Sequence, residues 1–144
     1  MSFSPRLAVL VAVAALLTGC SSSPLSPTVG PTAATAPAAG SSLPPADFAA
    51  AAKLPNTTLV DVRTPSEFGS EHLAGAVNID VEASDFATKV MALDKTKSYA
   101  VYCRSGNRSK VAMTMMMQQG GFTKVFDLAG GINAWKSANG EVVS

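Results

Sequence analysis

The sequence predicts an α/β fold: a parallel sheet with helices on both faces over residues 46–144, preceded by a disordered linker. Two observations predict it. Short β-branched and apolar runs alternate with segments of helical period. The links between them are brief and marked by Gly, Pro or Asn. Alternation of this kind, with short links, is how a sheet gains crossover helices on both sides.

Each element follows from local chemistry. Asp47 fits as the cap of a short helix, 48–53, which stops at Leu54-Pro55. Thr57-Thr58-Leu59-Val60-Asp61-Val62 reads as a buried strand. Thr64-Pro65-Ser66-Glu67 reads as a helix start with proline at its first position, and that helix runs to about Leu73. Gly75 turns the chain into a brief strand, 76–79. A helix over 84–93 places Phe86, Val90 and Leu93 on one face. Residues 97–102 form the next strand, and Cys103 follows at once. A helix over 107–119 is ended by Gly120-Gly121. A strand over 124–128 and a last helix from Ile132 to about Ala138, behind Gly130-Gly131, complete the set.

The 144-residue chain has a net charge of +1, which gives no electrostatic footprint for nucleic acid. It has two cysteines, far apart, and one histidine, His72; with no Cys-x-x-Cys pair, a metal cluster is not expected.

The N-terminal region reads as an address. Arg6 precedes the apolar run Leu7 to Leu17, shorter than the roughly 20 residues a bilayer span needs but of signal-peptide length. Leu17-Thr18-Gly19-Cys20 then resembles the lipobox of bacterial lipoproteins. The resemblance implies a signal peptide over 1–19, diacylglycerol (with acyl chains such as palmitate) on the Cys20 sulfur, and cleavage before Cys20, with dual or multiple acylation giving stable anchoring. Residues 20–45 are rich in Ser, Pro, Ala and Thr and read as a disordered tether with a reach of roughly 25–30 Å. The expected location is the bacterial cell envelope, lipid-anchored and exposed outside the cytoplasm.

The chemistry is expected in Cys103-Arg104-Ser105-Gly106-Asn107-Arg108-Ser109, which joins a strand to a helix. Small residues and a glycine let the backbone curl, so that successive amides form an anion-binding nest. The helix adds free N–H groups and the positive end of its dipole, and Arg104 and Arg108 add full charges. A cysteine there is expected to ionise readily and react.

This loop resembles the Cys-Arg-x-Gly-x-Arg-Ser active-site loop of the rhodanese sulfurtransferases. Leu59-Val60-Asp61-Val62-Arg63, with Glu67-Phe68 and His72-Leu73-Ala74-Gly75-Ala76-Val77-Asn78-Ile79, resembles that family's N-terminal signature. Gly130-Gly131-Ile132-Asn133-Ala134-Trp135 resembles its C-terminal one. Glu71 and Asp80 stand where the family usually has glycine and proline. The resemblance implies a single rhodanese domain that moves a sulfane sulfur from a donor such as thiosulfate, through a Cys103 persulfide, to a thiol or cyanide. It implies no metal or organic cofactor. The expected partners are a small sulfur-containing anion or thiol persulfide, a thiol or protein sulfur acceptor, and a membrane through the lipid. The alternative is a tethered module that carries sulfur or binds a partner without catalysis. Phosphatases of the same fold have five residues between cysteine and arginine, whereas here there are four.

Other residues have plainer roles. Arg63 and Glu67 lie at a spacing that permits a local pair, while Asp61 or Glu67 can equally hold Arg108 and fix the loop. Asp61 is taken as a supporting residue. His72 is read as structural, Trp135 as an anchor for the last helix, and Gly130 and Gly131 as allowing close passage beside the loop. Met113, Met115, Met116 and Met117 are read as adaptable packing.

Overall fold

The computed structural model describes residues 35–144. Cys20 and the expected signal peptide lie outside the described residues, as does most of the expected tether.

Ten elements follow in order: β1 (Ser42–Leu43), α1 (Pro45–Ala52), β2 (Thr57–Asp61), α2 (Pro65–Ser70), β3 (Val77–Asn78), α3 (Phe86–Met91), β4 (Ser98–Tyr102), α4 (Asn107–Gln118), β5 (Val125–Leu128) and α5 (Gly131–Ser137). The five strands form one sheet in the order β1-β5-β4-β2-β3, parallel throughout. The expected α/β architecture is therefore present, with β4 at its centre.

Helices cover both faces. On one, Phe86 and Val90 of α3 and Ala112, Met113 and Met116 of α4 bury against Val60, Tyr99, Val101 and Val125. On the other, Phe48 and Ala51 of α1 and Ile132 of α5 bury against Ala100, Tyr102, Phe126 and Leu128. The alternation along β4 and β5 sends successive side chains to opposite faces, as strand geometry requires. Each fully buried large side chain contributes about 1.5–3 kcal/mol.

Several boundaries differ from the sequence expectation. The sheet begins inside the segment read as tether: Ser42 and Leu43 lie in register with Asp127 and Leu128, and the Asp127 and Ala129 amides donate to the carbonyls of Ser41 and Leu43 at 2.9 and 2.8 Å. Two residues followed by Pro44 suffice because β5's open edge supplies the partners and Leu43 packs on the core. Helix α1 starts at Pro45, behind Pro44, so Asp47 sits in the first turn and does not cap it. Proline at the first position has its φ already set for a helix. Helix α2 has the expected start, with a reciprocal Thr64–Glu67 capping box. It ends at Ser70, before Leu73, because His72 exchanges backbone bonds with Val143 at 2.7 and 2.8 Å and Glu71 is extended. Helix α3 and strand β3 are shorter than expected, and α5 begins one residue earlier, at Gly131.

Candidate active site

Cys103 leaves the carboxyl end of the central strand, the position where α/β sheets bind ligands. The chain then curls through Gly106, whose φ of +95° is open to glycine at little cost, into α4. The curl aims the Gly106 amide at Cys103 Sγ, 3.1 Å away. Ser109, one turn into α4, brings its hydroxyl to 3.6 Å from the same sulfur. The amides of Ser105, Asn107 and Arg108 donate to no acceptor among the described residues. Of the expected nest, the structure shows one amide, that of Gly106, facing the sulfur where α4 begins.

The loop is clamped from two sides. The amides of Ile132 and Asn133 donate to the carbonyls of Cys103 and Arg104 at 2.8 and 3.2 Å. This requires the backbone of α5 to pass against the loop. A Cβ on Gly131, whose φ is +59°, would collide with the Cys103 and Arg104 carbonyl groups. The close passage read for this glycine pair is therefore real, and Gly131 carries most of it.

On the other side, Arg108 forms a two-pronged pair with Glu67, at 2.8 and 2.9 Å, and a third contact with Glu82 at 3.0 Å. Hydrogen bonds from Arg108, opposed by burial, hold the Glu67 carboxyl down to about 2, and the same pairing raises Arg108. Of the two partners left open for Arg108, the structure selects Glu67. Asp61 binds Arg63 instead, through Nε at 3.0 Å and Nη2 at 2.6 Å, and both are buried. Arg63 also donates to the Glu71 carbonyl at 2.5 Å. Its proposed pair with Glu67 is absent because Asp61 is two residues away on the same β2 exit. Asp61 thus supports the corner before α2 without touching the loop.

Arg104 is exposed and has no ion pair among the described residues. It borders a cleft of about 310 Å³, lined also by Glu71, Asn133 and Lys136. Ser105 and Asn107 are exposed beside it. His72 stacks on Phe68 at 3.9 Å, with Nδ1 2.9 Å from the Phe68 carbonyl. Trp135 meets Phe48 edge to face, and Met113 and Met116 are buried while Met115 and Met117 are partly covered.

One residue escaped the sequence reading. Asp127, in the middle of β5, is completely buried. Its Oδ2 accepts from Ser109 at 2.9 Å and its Oδ1 from the Ser42 hydroxyl. The available signal was an acid inside the four-residue strand Val-Phe-Asp-Leu, where burial of a charge is costly.

The rhodanese-like domain model matches residues 44–138, and the chain belongs to that family. The chain is 36% identical over 77 residues to a sulfurtransferase of Allochromatium vinosum, covering 54% of this chain and 69% of that protein. It is 32% identical over 94 residues to the thiosulfate sulfurtransferase GlpE of Pseudomonas fluorescens, covering 65% and 83%. A crystal structure of a rhodanese-related protein from Thermoplasma volcanium superposes with a TM-score of 0.62 at 34% identity, covering 72% of this chain and 97% of that one.

Proposed function

We propose that this protein is a sulfurtransferase that carries a sulfane sulfur as a persulfide on Cys103. The observation that bears most weight is the Gly106 amide, 3.1 Å from Sγ at the end of the central strand. The relatives named as sulfurtransferases support the same reading. The Cys103 thiolate attacks the outer sulfur of a donor such as thiosulfate. A new S–S bond forms, the donor's own S–S bond breaks, and sulfite leaves with the electron pair. The transfer is thereby split into two steps. The persulfide's outer sulfur then gains from donors that are already fixed in place, the free loop amides. A thiolate or cyanide takes that sulfur and returns Cys103 to the thiolate.

The two arginines divide the work. Arg108, held by Glu67 and Glu82, keeps the loop's shape, and Arg104, free at the cleft, meets the anionic donor. No metal or organic cofactor takes part in this scheme. The sequence supports a location in the bacterial envelope, with lipid on Cys20 holding the domain near a membrane surface. No helix among the described residues is long and apolar enough to cross one. The testing experiment is a rate survey over thiosulfate and thiol persulfides as donors, with cyanide and thiols as acceptors, beside Cys103→Ser. Turnover of at least one pair, lost in the variant, is expected; equal rates with and without Cys103 would refute the scheme.

A further inference from the structure

The sulfur, the Ser109 hydroxyl and the Asp127 carboxyl form a line with a shortage of protons. Ser109 Oγ has one hydrogen and three neighbours able to accept it: the Gly106 carbonyl at 3.1 Å, Asp127 Oδ2 at 2.9 Å and Cys103 Sγ at 3.6 Å. The other Asp127 oxygen is taken by Ser42. With Cys103 as a thiol, the line is satisfied when S–H donates to Ser109 and Ser109 donates to an ionised Asp127. When the hydroxyl turns to a thiolate, to join the Gly106 amide there, Asp127 Oδ2 is left without a donor in a wholly buried position, a costly arrangement. A proton on Asp127 resolves the conflict.

We propose that Asp127 is a positioning residue that acts through Ser109 and takes up the thiol proton when Cys103 becomes a thiolate. The Cys103 S–H bond breaks and its proton joins Ser109 Oγ, while Ser109's own hydrogen passes to Asp127 Oδ2. The electron pair stays on sulfur, which now faces the Ser109 hydrogen and the Gly106 amide. Charge is conserved: one carboxylate becomes one thiolate, and no outside base is required. When the acceptor has taken the sulfur, the line is ready in either direction.

The surroundings leave Asp127 to this task. Strand β1 brings Ser42, and β4 brings Val101 in register; neither strand carries a charged residue. Of the charged groups on the loop and on the helices, Arg108 is committed to Glu67 and Glu82, and Lys136 to Glu71. Arg104, Lys110 and Asp47 are exposed and make no ion pair with Asp127.

The inference rests on Cys103 being the reactive sulfur, yet its test needs no sulfur donor. Alkylation of Cys103 by iodoacetamide is followed across pH in the full chain by mass of the Cys103 peptide. Asp127→Asn keeps the shape but cannot accept the proton. It is expected to slow alkylation on the order of 10²-fold at pH 6 and to converge with the parent at alkaline pH, where hydroxide removes the proton. Ser109→Ala breaks the same line and is expected to show the same profile, and the double variant to be no slower than either single one. Should Asp127→Asn fail to fold, the Ser109→Ala profile decides. A slowdown equal at every pH, no slowdown, or fully additive losses would overturn the relay. Normal alkylation profiles with no sulfur loading would instead strike at the proposed function alone.

Discussion

Arg104 and Arg108 stand four residues apart and carry the same charge, yet Arg108 reaches Glu67 and Glu82 while Arg104 makes no ion pair among the described residues. Arg104→Ala is expected to raise the KM for thiosulfate about tenfold while kcat changes less, since one charge-assisted contact is lost. Steady-state kinetics read this directly. Glu67→Gln releases Arg108, and the effect has a pH signature. The Glu67 carboxyl titrates near 2 in the folded chain, against an ordinary value of 4.5. A depressed acid stabilises the fold above its unfolded value and loses that contribution as pH falls through its folded value. Thermal melts of parent and variant are therefore expected to differ at pH 7 and to converge near pH 2. At this scale, the loop residues were legible because their types announce anion binding. The choice between Asp61 and Glu67 for Arg108 stayed open and the Ser109–Asp127 bond was hidden, because Glu67 and Asp127 lie on another helix and another strand.

Individual elements carry predictions of their own. Helix α5 can clamp the loop only while position 131 lacks a side chain. Gly131→Ala is expected to cost at least about 1–3 kcal/mol through backbone strain alone. It is also expected to impair sulfur loading, as read from denaturant midpoints and single-turnover assays. Strand β1 offers the second element-scale test. Chains beginning at Gly40 and at Pro45 differ by residues 40–44, which carry β1, its bonds to β5 and the α1 cap Pro44, and the shorter is expected to be less stable by about 2 kcal/mol in urea. Equal midpoints would show that the edge strand adds nothing. Elements with strong local signals, such as β4, α4 and the Thr64–Glu67 capping box, were legible in sequence. Strand β1 was not, because two residues among prolines and serines become a strand only when β5 is beside them. The end of α2 was hidden for the same reason: His72 turns to Val143, which lies 71 residues on.

At the scale of the whole molecule, a fully parallel sheet fixes where chemistry can occur. Both faces are occupied by helices, and the carboxyl ends of the strands, where β4 delivers Cys103, are where ligands bind in such sheets. The α/β class followed from alternating periods in the sequence, and the sulfur's place followed from the strand that precedes it. The strand order, with β1 added outside β5, could come only from long-range pairing. The account as a whole stands on Cys103 accepting a second sulfur. The most direct measurement is the intact mass of the protein after incubation with thiosulfate. The predicted result is a gain of one sulfur atom, located on Cys103 and removed by cyanide as thiocyanate. An unchanged mass with thiosulfate and with thiol persulfides alike would contradict the account.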